Sequence, residues 1–215
     1  KHYHDMQDLE FTIQNGKLWM LQTRTGKRNG GAAIRIAMDM LDEGLISEDE
    51  ALLRISPENI DEIMHDTVDP EAEKSAILLG TGLPAGPGGA TGQIVFTAED
   101  AAEWNQKGKK IILVRNETSP EDVLGMHVAS GILTAKGGMT SHAALVARGW
   151  GKCCIVGCSA LNIDFNNKTL NICNKSLNEG DWVTLNGSLG NIYNGELSLK
   201  KPDLEQNQYL KKLMT

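Results

Sequence analysis

The chain has 215 residues, with 21 Lys and Arg against 28 Asp and Glu, a formal net charge of -7 at neutral pH. Negative charge without any run of Lys or Arg excludes the basic footprint that nucleic acid or an anionic membrane surface would need. No apolar stretch approaches the ~20 residues that cross a bilayer, and the length suits one full domain plus part of another.

The start, KHYHDMQDLEF, has neither the apolar centre nor the small-residue cleavage site of a signal peptide. In LEFTIQNGKLWMLQTR, two short apolar runs flank Asn15-Gly16, the dipeptide that accepts the positive φ angles of a tight turn, and the stretch is predicted to be a β-hairpin. With nothing upstream to pack on, that hairpin is expected to be a remnant of a larger domain.

From Gly31 to about His65 the pattern is helical. Ile34, Met38, Leu41 and Leu45 recur at helical steps, and Gly44 marks a stop. A second helix is predicted from Ser47, with Glu50 completing a capping box, and a third from Ser56-Pro57-Glu58. Residues 27–79 thus read as a small helical connector. At GTGLPAGPGGATG, residues 80–92, glycine and proline dominate and periodicity vanishes, which predicts a domain boundary.

Strands are predicted at 93–97, 110–115, 131–134 and 153–157, alternating with helices at 98–107, 119–126 and 140–148. That alternation indicates a compact α/β domain over residues 80–196. KTLNICN, DWVTLN and GNIYNG add short strands between 168 and 195, with turns at Glu179-Gly180 and Asn186-Gly187. The polar, Lys-rich segment 197–215 reads as a linker or tail.

Cys153, Cys154, Cys158 and Cys173 lack CxxC spacing and are expected to be reduced, with KCCIVG a buried strand using cysteine as a small hydrophobe. A zinc site built from Cys153, Cys154, Cys158 and His142 is the less favoured reading. A cytoplasmic location is expected, or a plastid or other organelle if the source is eukaryotic.

The stretch TAKGGMTSHAALVARGWGKCC carries the chemistry. A strand ending at Thr134, a tight Gly137-Gly138 loop and a helix opening at Thr140-Ser141-His142, with Leu145 and Val146 facing the sheet, would set His142 at the carboxyl edge of the strands. Amides of a glycine loop and of a first helical turn make an anion cradle there. The same field disfavours an imidazolium, so His142 is expected to be a neutral nucleophile able to take a phosphoryl group, with Gly137, Gly138, Thr140 and Ser141 supporting it. Read by itself, a histidine that merely caps a helix remains the alternative. GGMTS lacks the spacing and lysine of a phosphate-binding P-loop, and adjacent Ser141 and His142 cannot pair as nucleophile and base. Arg115, Thr118, Ser119 and Pro120 open another helix at the same edge. Ser119 to Asp122 reads mainly as a cap, and a phosphate-facing role for Arg115 or Thr118 is the minor alternative.

GGMTSHAALVARGWGKCC resembles the phosphohistidine segment of the pyruvate phosphate dikinase family, and more loosely those of phosphoenolpyruvate synthase and of enzyme I of the bacterial sugar phosphotransferase system. GLPAGPGGATGQIVFTAEDA, ILVRNETSPEDVLGMH and GKLWMLQTRTGKR resemble the dikinases in the same order, so the likeness covers about residues 5–195. It departs from that pattern at Gly86, Lys136 and Trp150.

The resemblance implies a β/β/α swivelling phosphohistidine domain at 80–196, after the connector and the last strands of an ATP-grasp domain at 1–26. It implies a phosphoryl carrier in which His142, modified on Nε2, takes a phosphoryl group derived from ATP and phosphate and delivers it to pyruvate. The partners would be the ATP-grasp domain and a phosphoenolpyruvate/pyruvate barrel of the same full-length chain, itself expected to be a homodimer. Glu10, Gln22 and Arg24 would edge the nucleotide site, Glu10 and Gln22 near Mg2+ and Arg24 on phosphate, against the plainer reading of a surface ion pair across a hairpin. Thr140 matches a threonine whose phosphorylation silences plant enzymes. The rival readings are the carrier domain of the synthase or of enzyme I, and a non-catalytic module that binds a phosphorylated ligand.

Overall fold

The computed structural model describes residues 2–202 and 207–214. The chain divides into two compact units, residues 1–64 with 203–215, and residues 65–202.

In the first unit β1 (Gln7–Gln14) and β2 (Lys17–Thr25) form the predicted hairpin, and Asn15 and Gly16 adopt φ of 49° and 71° at its turn. Glu10 pairs with Gln22 and Asp8 with Arg24, while Phe11 pairs with Met20 across a bulge. Side chains alternate on a strand, so Asp8, Glu10, Gln22 and Arg24 share one face and Leu9, Phe11, Ile13, Leu18 and Met20 the other.

The helices α1 (Gly30–Asp42), α2 (Glu48–Leu53) and α3 (Pro57–Ile63) are capped by Asn29, Ser47 and Ser56. Ser47 and Glu50 form the predicted capping box; at Ser56 the reciprocal partner is Asn59. Ile34, Ala37, Met38, Ile46, Ala51 and Ile55 make a small core. The expected polar tail is more ordered than its composition implies. Residues 208–213 form a helix that buries Leu210 and packs Tyr209 and Leu213 on this core.

The second unit contains, in chain order, β3 (Thr67–Val68), α4 (Pro70–Ser75), β4 (Leu78–Thr81), β5 (Leu83–Gly86), β6 (Gly89–Val95), α5 (Ala98–Gln106) and β7 (Ile111–Arg115). There follow α6 (Val123–Val128), β8 (Gly131–Thr134), α7 (His142–Gly149), β9 (Cys153–Val156), β10 (Leu161–Asp164), β11 (Thr169–Ile172), β12 (Lys175–Asn178), β13 (Trp182–Asn186), β14 (Asn191–Asn194) and β15 (Leu199–Lys200). One eight-stranded sheet runs β4-β14-β13-β6-β7-β8-β9-β5, with β6 to β9 parallel, and β10 to β12 form a separate antiparallel sheet. The unit is therefore mixed α/β around a central sheet, as expected.

Two-residue alternation along the parallel strands builds two cores. Ile112, Val114, Leu133 and Ile155 face Leu161, Leu170, Ile172 and Leu177 of the small sheet, while Ile111, Leu113, Ile132 and Val156 face Ala101, Met126, Ala143, Ala144 and Ala147 of the helices. The layers are sheet, sheet and helices.

The glycine-rich stretch 80–92, where loss of periodicity predicts a domain boundary, supplies β5 and parts of β4 and β6. Glycine here permits close packing. A Cβ on Gly92 would lie 2.8 Å from the Ile111 backbone, and one on Gly86 2.2 Å from the Lys152 carbonyl. The compact unit also begins earlier than residue 80, because β3 pairs with β15 and Glu73 on α4 accepts hydrogen bonds from Asn186 and Tyr193. KTLNICN holds the whole of β11 as a short strand, as expected, and Cys173 at φ 50° turns the chain directly after it.

Candidate functional site

Two parallel neighbours, β7 and β8, bring two loops to one sheet edge. Their ladder continues past the strand ends, where Ala135 N donates to Arg115 O (3.0 Å) and Lys136 N to Asn116 O (2.8 Å). The exit of β9 is stitched to the same place through Cys158 N to Thr134 O and Gly157 N to Lys136 O. The carboxyl edge of an open α/β sheet is where such folds hold ligands.

The turn between β8 and α7 needs its first glycine. Gly137 has φ +99°, and a Cβ there would press to 3.0 Å of the Ser141 side chain. Ser141 N donates to Gly138 O, and Ser141 then caps α7 with its side chain accepting from Ala144 N at 3.5 Å. The helix thus starts at His142 rather than at Thr140, with Thr140 exposed in the turn and His142 half-buried. Among the described residues, the amides of Met139 and Thr140 have no protein acceptor.

The core face of α7 is Ala143, Ala144 and Ala147, small side chains that let the helix lie close on the sheet. Leu145, expected to face the sheet, is 55% exposed one turn along from His142; Val146 packs against the core as expected.

Thr118, placed at this edge by the sequence with a phosphate-facing role as its minor reading, contacts the His142 ring itself, which the sequence did not indicate. Its Oγ1 lies 2.9 Å from His142 Nδ1. Thr118 sits in the loop after β7, so the signal was present in the parallel β7–β8 pairing, not in any spacing near His142. Arg115, by contrast, is committed to structure. Nη1 donates to Phe96 O (2.9 Å), Nε lies 3.1 Å from Asp122 Oδ1 without hydrogen-bond alignment, and the guanidinium stacks over Phe165. Asp122 also accepts from Ser119 N, the cap that the sequence predicted.

Glu10, Gln22 and Arg24 belong to the first unit. Arg24 pairs with Asp8 (3.0 Å) and stands 3.7 Å from Glu10. Glu10 and Gln22 offer three side-chain oxygens on one face of the hairpin, two from the carboxylate and one from the amide, which fits part of the six-oxygen shell that Mg2+ prefers and is too few to hold the ion alone. Among the described residues no cluster of three or more His, Cys, Asp or Glu could hold a metal. Cys153, Cys154 and Cys158 are buried free thiols, and burial pushes Cys153 and Cys154 up to about 12, so they serve as apolar side chains. No helix among the described residues is long and apolar enough to cross a membrane.

Two family models match the chain. Residues 107–190 match the PEP-utilising enzyme, mobile domain, and residues 1–45 the pyruvate phosphate dikinase, AMP/ATP-binding domain. The chain is 53% identical over 205 residues to pyruvate, phosphate dikinase 1, chloroplastic, of Arabidopsis thaliana, covering 95% of this chain and 21% of that protein. It is 53% identical over 203 residues to pyruvate, phosphate dikinase 2 of Oryza sativa (94% and 23%) and 52% identical over 204 residues to pyruvate, phosphate dikinase of Rhizobium meliloti (95% and 22%). The chain thus spans about a fifth of the length of the curated relatives it matches.

Proposed function

In sequence this chain is a segment of the pyruvate, phosphate dikinase family, a family of phosphotransferases, and from that premise we propose that its second unit is the swivelling phosphoryl carrier of such an enzyme. His142 is the residue that carries the group. The full-length protein converts ATP, phosphate and pyruvate to AMP, pyrophosphate and phosphoenolpyruvate, reversibly, and acts as a homodimer.

The observation that carries this reading is the 2.9 Å contact between Thr118 Oγ1 and His142 Nδ1 at the carboxyl edge of the sheet. When Nδ1–H donates to the Thr118 oxygen, the lone pair lies on Nε2, the ring nitrogen turned from its anchor. Nε2 attacks phosphorus, the Nε2–P bond forms as the donor P–O bond breaks, and the leaving oxygen keeps the electron pair. Delivery reverses the step: the enolate oxygen of pyruvate attacks phosphorus and the N–P bond breaks, with Nδ1 protonated throughout. The free amides of the Gly137–Ser141 loop and the first turn of α7 face the charge that develops on the phosphoryl oxygens.

A tethered carrier keeps the group at high effective concentration for two sites in turn. Glu10 and Gln22 would contribute to Mg2+ bound with nucleotide, an ion that neutralises polyphosphate charge, while Arg24 would contact phosphate. Thr140 is the candidate regulatory site, since a phosphate two residues before His142 places negative charge beside an incoming phosphoryl group.

The test is to incubate the full-length protein with phosphoenolpyruvate, or with ATP and phosphate, and to look for an acid-labile, base-stable phosphate on His142. His142→Asn is expected to abolish the label and keep the fold. Labelling that survives in that variant would sink the reading.

A further inference from the structure

Arg148 lies in the last turn of α7, yet its guanidinium reaches back past the start of the helix. Nη2 donates to Met139 O at 2.7 Å and Nη1 to Ala85 O at 3.2 Å. Long side chains on a helix run toward its N-terminus, the direction of this reach. Ala85 is the residue of β5 skipped where the pairing with β9 shifts between Pro84 and Gly86, and it is buried. A buried carbonyl outside the ladder needs a donor, and Arg148 supplies it.

The second bond has the greater consequence for chemistry. Met139 O belongs to the peptide that joins Met139 to Thr140, and no peptide bond among the described residues is cis. In a trans peptide the carbonyl oxygen and the next N–H point to opposite sides. Fixing Met139 O against the guanidinium therefore turns the Thr140 N–H away from it. That amide has no protein acceptor among the described residues, and Thr140 lies two residues before His142. Gly137 and Gly138 would otherwise let this peptide rotate cheaply.

We infer that Arg148 is a positioning residue for phosphoryl transfer: it locks the Met139–Thr140 peptide so that the Thr140 amide is held ready as a donor to the phosphoryl group on His142. This rests on the carrier reading. A bidentate guanidinium is needed because the two carbonyls sit on different elements, and an ammonium on a single stem cannot satisfy both in that geometry.

The experiment is single-turnover labelling of the full-length protein by radiolabelled phosphoenolpyruvate, comparing wild type with Arg148→Gln and Arg148→Lys. Losing one fixed oxyanion donor costs about 100- to 1000-fold in rate; a donor left present but mobile is expected to cost about 10- to 100-fold in Arg148→Gln, with less loss in Arg148→Lys. The concentration of phosphoenolpyruvate giving half-maximal rate should not change, because Arg148 has no part in binding it. A purely structural role would instead lower the labelled fraction and leave the rate constant of the folded molecules unchanged, and that result overturns the inference. So does an unaltered rate constant in Arg148→Gln. Should the Gln variant fail to fold, Arg148→Lys decides by the same criterion. Absence of label in the wild type would overturn the carrier reading itself, whereas normal label with no Arg148 effect would overturn this inference alone.

Discussion

Thr118 Oγ1 and His142 Nδ1, 24 positions apart in sequence, stand 2.9 Å apart because β7 and β8 are adjacent and parallel. Removing the hydroxyl while keeping the shape tests what that contact does. Thr118→Val is expected to slow labelling of His142 by about 2- to 12-fold, the equivalent of one ordinary hydrogen bond of ~0.5–1.5 kcal/mol. Thr118→Ser should recover most of the rate, since the oxygen returns. Rapid-quench labelling checks both; equal rates in wild type and Thr118→Val would remove Thr118 from the mechanism.

Helix α7 lies on the sheet through Ala143, Ala144 and Ala147, not through Leu145. Ala144→Leu must force three extra carbons into a fully packed contact, and a loss of about 1–3 kcal/mol is expected. Leu145→Ser changes an exposed side chain and should stay within about 0.5 kcal/mol of wild type. Denaturant unfolding of the two variants gives the comparison, and the reverse order would mean the helix is rotated from the face described.

Local chemistry was legible wherever a residue acts on its own neighbourhood. Asn15-Gly16 determines a turn, Ser47 with Glu50 a capping box, and the alternation of βα units the parallel strands. What escaped depended on partners distant in sequence. Gly92 reads as a loop residue, yet it is glycine because Ile111 lies against it; the 208–213 helix reads as polar tail because its partner α1 is more than 160 residues away. At the site, a glycine turn leading into a helix start near His142 was legible. Thr118 was placed at the same edge of the sheet, but its contact with the ring was not legible, and Arg148 was missed, because one meets the ring from a neighbouring strand's loop and the other reaches back over the loop from the far end of α7.

Asp5 gives a pH dependence of known sign. Arg28 makes a bidentate pair with it (2.9 and 2.7 Å), and this charge-assisted bond holds the Asp5 carboxyl below the usual aspartate value of 3.8. A depressed folded value means that the stabilisation is fully present above 3.8 and is lost as pH falls through the lower folded value. Thermal unfolding of the wild type should therefore fall more steeply below about pH 4 than that of Asp5→Asn, and the two curves should converge at the acid end. Parallel curves across that range would show that the Asp5–Arg28 pair adds no pH-dependent stability.

The four thiols are expected to separate by burial. Cys173 is exposed in the turn between β11 and β12, whereas Cys153, Cys154 and Cys158 are buried, and burial raises all three above the ordinary thiol range. Alkylation requires the thiolate and access to it. Iodoacetamide at pH 8 should therefore add one group to the native chain, at Cys173, and reach the other three only after denaturation. Mass spectrometry of native and denatured samples reads this directly. Early modification of Cys154 would be the informative failure, because Cys154 packs behind Ala143 and Ala144, and its exposure would require α7 to lift from the sheet and carry His142 with it.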